Sequence, residues 1–572
     1  ELAAEENSWQ YNEQVTEVRC ADKKIEYFSG IDLFNNLRVL DLSDNYIEDF
    51  YLSNNALSRL KELYLSGNAI IQVSSLSQFT ELTHLDLSGN PILDQSDITN
   101  ILNNNKNISH LLLNDIPLTD MYLSDMPLSL EVLEVANSGL RDLSFVSGLF
   151  NLRELNVANN VLEDLHPLIQ LQLLEILDVN GNFLKSLEGI AQLSSLVSLD
   201  VSFNPNLEKA SLAEVINNNK GLETLLLADL SLDSLGDLGG VFIESDGVKP
   251  ADFQLKELNV DSARLHDVAA LVNQPSLVAL SFRDNSIDIF PDFSSLTTLK
   301  SLAIGNTGFD DYGLLASIAD GLEHLDVSDN RAPSGFPFGD FVGLTSLDVS
   351  GLGLSQLFGV ELIVGLEKLN VSDNRLDSNG VQWLLSNTSG LTDLDISDNT
   401  IVNGYLTFSP SDKLKNLNLS GMGIDGLSAL YFPNLKKLNV SNNAELVVEG
   451  VSGLELLRLK ELDVSYTKLT VSGFDLRSIK SLNVRASGVS SYELMSELGG
   501  MPLLETLILS DLNDEGIYQD SNSLLDSIQQ PLRLRKLDVG GMYPNGLLSL
   551  HQFSNLRWLN VQGSDYSFVD SS

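Results

Sequence analysis

The side chains best suited to chemistry lie near the beginning of the chain. His84 and His110 occupy the same position of two similar segments, Glu62 occupies that position one segment earlier, and Asp86 lies two residues after His84. Imidazole and carboxylate groups are ligands that zinc and copper take in proteins. The spacing therefore makes Glu62, His84, Asp86 and His110 a candidate metal site. The competing interpretation is two solvated histidines on a polar surface.

Carboxylates recur along the whole chain at one position of a repeated segment, as in "LRVLDLSDN" (37–45) and "LEHLDVSDN" (322–330). That position never holds Lys or Arg, and it holds Asp at Asp41, Asp86, Asp178, Asp200, Asp326, Asp348, Asp395, Asp463 and Asp538. If the segments are neighbouring strands about 4.8 Å apart, Asp178 lies beside Asp200 and Asp326 lies beside Asp348. Such pairs repel unless a cation lies between them, so these four residues are candidate ligands for a basic partner or for calcium. The alternative is a polar ladder that belongs to the repeat itself.

Three aromatic residues are candidate contacts for the same partner. Trp558 points outward by the alternation of its segment, and Tyr518 lies in a long insertion near 513–531. A second insertion lies near 240–254, and insertions in repeat proteins often form the binding surface. In "RAPSGFPFGDF" (331–341), we expect Phe336 to be exposed beside two inward-facing phenylalanines.

Motifs of the common enzyme classes are missing from the sequence. It contains no HExxH, no GxSxG, no phosphate-binding loop and no paired Cys and His. Each of these motifs supplies a nucleophile, a metal or a phosphate cradle at a fixed spacing. We therefore expect a protein that binds and does not catalyse.

The charge of the chain restricts its partners. The sequence has 79 acidic and 34 basic residues, for a net charge of −45. Phosphates and anionic lipids attract basic patches, so this balance argues against nucleic acid and against docking on anionic membranes. It favours cationic partners or metal ions, and it also favours solubility in its own right. No apolar run is long enough to span a membrane.

The repeated segment also predicts the elements that position these side chains. The pattern L-x-x-L-x-L-x-x-N recurs about 24 times, most often every 22 residues. In "LDLSDN" the leucines alternate with outward residues, which predicts a short strand, and the final Asn (Asn45, Asn90, Asn160 or Asn182) can bond the backbone of the turn. Apolar residues three apart then predict a tight 3₁₀ or extended return segment. Each repeat can bury its apolar face only against its neighbours.

The motif NxLxxLxxLxxL with this period resembles the internalin-like bacterial class of leucine-rich-repeat proteins, over about Val15–Val561. The resemblance implies an α/β solenoid, curved like a horseshoe, with about 24 parallel strands on the concave face and 3₁₀ segments with a few short helices on the convex side. It also implies secretion or display on a bacterial surface and the binding of a protein or a glycan.

Four return segments are predicted to be helical because their apolar residues follow helical spacing. They are "ITNILNNNKN" (98–107), "LAEVINNNKG" (212–221), "VQWLLSNTSG" (381–390) and "YELMSELGGM" (492–501). We expect residues 1–14 to form a cap, because an open sheet edge invites pairing. Residues 15–572 then form a single repeat domain, and we expect a monomer.

The sequence therefore predicts a nonenzymatic extracellular or cell-surface binding protein with an acidic concave face. Two alternatives remain open. One is an intracellular scaffold or regulatory subunit, because repeats of 22 residues also resemble the leucine-rich regulator of protein phosphatase 1. The other is a metal-binding surface protein built around His84 and His110, with zinc or copper as its ion.

Overall fold

The computed structural model describes residues 12–562, except 24, 53–56, 119–125, 245–246, 400, 402–403, 408–410, 429–431, 448–457, 473, 513–520, 542–551 and 554–555. The chain divides into two compact units, Glu1–Leu299 (unit 1) and Lys300–Ser572 (unit 2). The division into a cap at 1–14 and one repeat domain stays a prediction, and residues 1–11 lie outside the described part.

Each repeat contributes one strand of three residues, and these strands form an open parallel sheet of 24 strands, as predicted. The strands of unit 1 are β1 Glu17–Arg19, β2 Val39–Asp41, β3 Glu62–Tyr64, β4 His84–Asp86, β5 His110–Leu112, β6 Val132–Glu134, β7 Glu154–Asn156, β8 Ile176–Asp178, β9 Ser198–Asp200, β10 Thr224–Leu226, β11 Glu257–Asn259 and β12 Ala279–Ser281.

The strands of unit 2 are β13 Ser301–Ala303, β14 His324–Asp326, β15 Ser346–Asp348, β16 Lys368–Asn370, β17 Asp393–Asp395, β18 Tyr405–Thr407, β19 Asn416–Asn418, β20 Gly426–Ser428, β21 Lys437–Asn439, β22 Glu461–Asp463, β23 Ser481–Asn483, β24 Thr506–Ile508, β25 Lys536–Asp538 and β26 Trp558–Asn560. Of these, β18 and β20 pair only with each other, in a separate parallel sheet of two strands.

The alternation within a strand separates the core from solvent. Leu40 at the centre of β2 is completely buried, while Val39 and Asp41 on either side of it are half-buried. Successive side chains of a strand point to opposite faces, and the central residues of the strands are buried, except Leu559 at the centre of β26. The first and third residues of each strand form the outward face of the sheet.

Buried asparagines close the turn after many of the strands, as Asn45, Asn90, Asn160 and Asn182 do. Asn182 is 2% exposed, and its Nδ2 donates to the carbonyls of Val157 (3.0 Å), Val179 (3.0 Å) and Asn180 (3.1 Å). Its Oδ1 accepts from the Leu162 N–H over 3.0 Å. One amide thus pairs buried backbone groups of two consecutive repeats, which confirms the predicted role of this Asn.

The residue before the position of Asn182 has a left-handed backbone in every repeat that the structure describes there. We call it the left-handed position. Gly, Asp or Asn fills it in most repeats, as at Asp44, Gly67 and Asn159. Glycine has no Cβ to clash there, and Asp and Asn tolerate this conformation better than other residues do.

The return segments are short 3₁₀ helices such as Ser144–Val146, His166–Leu168 and Glu188–Ile190, with longer helices at a few places. The four predicted helices are confirmed as α1 Gln95–Asn104, α2 Lys209–Asn218, α3 Ser378–Asn387 and α4 Ser491–Leu498, and α5 Ser521–Asp526 follows in the second insertion. No helix in the described ranges is long and apolar enough to cross a bilayer.

Candidate functional site

The carboxylates at the third position of the strands, here called the carboxylate column, are tied to their own turns. The Oδ1 of Asp348 accepts from the N–H of Ser350 (2.9 Å) and from its hydroxyl (2.6 Å). Asp326 makes the same two bonds to Ser328, at 2.9 and 2.6 Å. The recurrent Asp-x-Ser pattern therefore stabilises the end of the strand with one carboxylate oxygen.

Asparagines in the column bond the carboxylate of the preceding strand. The distance from Nδ2 to Oδ2 is 2.8 Å for Asn370 and Asp348, for Asn418 and Asp395, and for Asn483 and Asp463. An Asp followed by an Asn is thus partly neutralised within the fold. For these pairs the structure supports a polar ladder, the alternative that the sequence left open.

Two places in the column put Asp beside Asp. Asp178 lies opposite Asp200 in unit 1, and Asp326 lies opposite Asp348 in unit 2, as the spacing predicted. Burial raises the pKa of Asp178, and the negative charge of Asp200 raises it further. Burial likewise raises the pKa of Asp348, and Asp326 adds to that increase. Each pair therefore stores unfavourable charge that a cation would relieve.

A side chain already bridges the first pair. The amide Nδ2 of Asn180 lies 2.7 Å from Asp178 Oδ1 and 3.3 Å from Asp200 Oδ2. An amide donor carries no net charge, so it reduces the repulsion between the carboxylates without removing it. Ligand binding by these four aspartates stays a prediction.

An open groove of about 560 Å³ on the outward face of unit 2 is lined by β15, β16, β17, β19 and β21–β24. Its charged lining residues are Asp348, Asp393, Asp395, Glu461, Asp463, Lys368 and Lys437. One of the two lysines is already paired, since Lys437 Nζ lies 2.8 Å from Glu461 Oε1. The groove is therefore net acidic. It includes Asp348 but not Asp326, and the sequence did not indicate where along the sheet such a groove would form.

The three aromatic candidates have different outcomes. The prediction that Phe336 is exposed is wrong, because it is 6% exposed and stacks on Phe341 with ring centroids 5.3 Å apart. The alternation of a strand does not extend into a return segment, where apolar rings collect in the core. Trp558 is 44% exposed, as expected, and Lys536 Nζ lies 4.7 Å from its ring centroid. Tyr518 lies outside the described residues.

His84 and His110 are neighbours, as predicted, but they stack on each other. Their ring centroids are 4.0 Å apart with 17° between the planes. Each Nδ1 lies 2.9 Å from a hydroxyl, that of Thr83 for His84 and that of Ser109 for His110. Burial lowers the pKa of His84, and the charge of His110 lowers it further.

The four residues of the predicted metal site lie on neighbouring strands. Glu62 lies opposite His84, and Asp86 lies in the same strand as that histidine. Among the residues that the structure describes, no three His, Cys, Asp or Glu side chains are grouped so that they could hold a metal ion. Zinc, copper or calcium binding by this chain gains no support here and stays a prediction.

Two aromatic residues at the left-handed position were not among the predicted site residues. Phe203 (φ 56°) and Tyr466 (φ 55°) hold a place that other repeats give to Gly, Asp or Asn. Both side chains stay in solvent, with 54% of Phe203 and 43% of Tyr466 exposed. The signal was present in the sequence, because aligning the repeats places a small or polar residue before the turn Asn almost everywhere else.

Comparison with known proteins agrees with the repeat architecture. Residues 35–92 match the family described as leucine rich repeat. Over 61 residues the chain is 46% identical to the mouse (Mus musculus) leucine-rich repeat and WD repeat-containing protein 1. That match covers 11% of this chain and 9% of the mouse protein.

Two solved structures are similar along most of the chain. One is the ectodomain of the plant receptor kinase GASSHO1/SCHENGEN3 from Arabidopsis thaliana in complex with CASPARIAN STRIP INTEGRITY FACTOR 2, at 18% identity and a TM-score of 0.45, covering 93% of this chain and 65% of that one. The other is the internalin InlF from Listeria monocytogenes, at 19% identity and a TM-score of 0.30, covering 72% of this chain and 88% of that one.

Proposed function

We propose that this chain is a nonenzymatic binding protein, secreted or displayed on a cell surface, that binds a basic segment of a partner protein. The observation that carries the proposal is the pairing of like charges on the outward face, Asp178 with Asp200 and Asp326 with Asp348. Elsewhere in the column an Asn amide of the next strand serves as the partner of the Asp, as Asn418 does for Asp395. At the two pairs a ligand's ammonium or guanidinium group would relieve the repulsion between the carboxylates.

We expect the basic segment of the partner protein to bind in the groove of unit 2. An arginine or lysine side chain that enters it meets carboxylates from several consecutive strands. Because the whole chain has a net charge of −45, its field also draws a basic partner from a distance. Exposed Trp558 is a further contact for a partner that reaches the last described strand.

A glycan is the second candidate ligand. The column of the groove contains both carboxylates and amides, as at Asp395, Asn418, Asn439 and Asp463. Both groups bond sugar hydroxyls without needing charge on the ligand. Nucleic acid does not suit this surface, because it would bring phosphates to a net acidic face.

Two peptides of equal length separate these candidates. One contains three arginines separated by glycines, and the other replaces each arginine by citrulline, which keeps the shape but has no charge. We expect the arginine peptide to bind and the citrulline peptide to bind far more weakly. Equal binding of both, or of neither, would contradict a site for basic segments. Secretion is a separate part of the proposal, and locating the protein in fractionated source cells tests it.

A further inference from the structure

Phe203 has a side chain whose position the core does not explain. Its backbone is left-handed at φ 56°, a conformation that bulky residues rarely adopt, and 54% of the residue is exposed. A glycine at the same position of the preceding repeat, Gly181, adopts φ 63°. Phe203 therefore keeps a strained backbone while leaving much of its ring in water, which is the pattern of a residue that serves a site.

A carboxylate follows Phe203 along the left-handed positions. The N–H of Phe203 donates to the Ala228 carbonyl over 2.8 Å, and the next residue, Asp229, holds the left-handed position of the following repeat. Side chains at successive left-handed positions can touch, since Asn137 Nδ2 lies 2.6 Å from Asp115 Oδ1. Asp229 is exposed and forms no ion pair with any residue that the structure describes.

Unit 2 contains an internal example of a cation held by such groups. The guanidinium carbon of Arg485 lies 5.7 Å from the ring centroid of Tyr466, the aromatic residue at a left-handed position there. The Nη2 of Arg485 also lies 2.7 Å from Oδ2 of Asp511, which holds a left-handed position as well. The ring and the carboxylate together hold one guanidinium, by cation–π attraction and by an ion pair.

Within the described part of the chain, no Lys or Arg lies over the ring of Phe203 as Arg485 lies over Tyr466. In the alignment of the repeats, Ala228 holds the place that corresponds to Arg485. The carboxylate of Asp229 is one repeat closer to its aromatic residue than Asp511 is to Tyr466. We propose that Phe203 and Asp229 form a binding site for an arginine or lysine side chain of the basic partner. This site rests on the proposed function and adds a specific contact, at the edge where the strands of unit 1 end.

The test compares variants of the whole chain in binding the labelled arginine peptide, followed by fluorescence anisotropy at physiological salt. Phe203→Asn removes the ring without changing the charge, and it installs a residue that other repeats use at this position. We expect its Kd to rise about two- to fivefold, the effect of losing one exposed cation–π contact. Asp229→Asn should raise the Kd by a similar factor. The control is Phe150→Ala, because Phe150 is 58% exposed but precedes its strand and lies at the opposite edge.

The outcomes separate this site from the proposed function. If the arginine peptide binds and the Kd of Phe203→Asn equals that of the wild type, the site is wrong while the acidic face stands. If Phe150→Ala weakens binding as much as Phe203→Asn does, the effect comes from surface apolarity, and the site is equally wrong. If no variant and no wild-type protein binds the peptide, both proposals fall.

Discussion

The side-chain amide of Asn370 donates to the carboxylate of Asp348 one strand away, with 2.8 Å between Nδ2 and Oδ2. This bond shows why Asp and Asn share one position of the repeat. An Asn of the following strand supplies a donor to the Asp, whereas an Asp of the following strand supplies a second negative charge. The column therefore forms rungs of a ladder where an Asn follows an Asp, as at Asp348–Asn370, and repulsive pairs at Asp178–Asp200 and Asp326–Asp348.

Replacing Asp200 by Asn should convert one repulsive pair into a rung of the ladder. The new amide can donate to Asp178, as Asn370 donates to Asp348, and one like charge is removed. We expect the free energy of unfolding to rise by about 0.2 to 1 kcal/mol at pH 7. Urea denaturation of both proteins measures the difference, and a less stable variant would contradict the ladder.

The gain from Asp200→Asn should depend on pH. The folded-state pKa of Asp178 is raised, so its charge weakens the fold above that pKa and does no harm once the group is protonated. As the pH falls through the raised pKa toward the unfolded value of about 3.9, the advantage of the variant should shrink. Denaturation curves from pH 7 to pH 3 test this, and an advantage that grows in acid would refute the assignment.

Replacing Asn182 by Leu should destabilise the protein, because the backbone groups that its amide pairs lose their partner. We expect a loss of about 1 to 3 kcal/mol. Asn182→Thr should lose less, since Thr307 at the equivalent position of a later repeat bonds the Ile304 carbonyl over 2.8 Å. The control is Asn151→Leu at an exposed site. Equal melting temperatures for Asn182→Leu and the control would contradict the role assigned to Asn182 in the turn.

Replacing Phe203 by Asn should leave the protein as stable as the wild type or more stable. The left-handed backbone costs a bulky residue about 1 kcal/mol, and Asn relieves much of that cost. This result would separate the ring's role in binding from any role in folding. A clear drop in melting temperature would mean that the ring packs usefully in the folded state.

Replacing His110 by Asn should raise the pKa of His84. Burial is the larger cause of the lowered His84 pKa and stays in place, but the charge of the stacked ring is removed. The pKa of His84 should therefore move up toward the unfolded value of about 6.5. Titration of the imidazole C–H resonance by NMR reports it directly, and an unchanged pKa would mean that the two rings do not interact in solution.

The sequence predicts most of the fold because the repeated apolar pattern fixes which residues of each strand face the core. Leu40 and Asn182 lie where the pattern places them, and the four helical returns follow from their apolar spacing. The burial of Phe336 could not be predicted, because it depends on packing against other aromatic residues of the return segments. The role of the carboxylate column in stabilising the turns could not be predicted either, because a bond such as that of Asp348 to Ser350 depends on the backbone after the strand.

The central claim is that the paired carboxylates attract a basic segment to the outward face. Its most direct test is the association rate of the arginine peptide across a salt series, for the wild type and for a variant that carries Asp326→Asn and Asp348→Asn. The control variant carries Asp320→Asn and Asp340→Asn, which remove equal charge from exposed return segments of the same unit.

We expect the association rate of the wild type to fall as salt rises past the concentration where the Debye length is about 8 Å. At low salt the Asp326 and Asp348 variant should associate more slowly than the control variant, because its lost charges lie on the binding face. Equal rates for the two variants, or a rate for the wild type that does not change with salt, would contradict the claim.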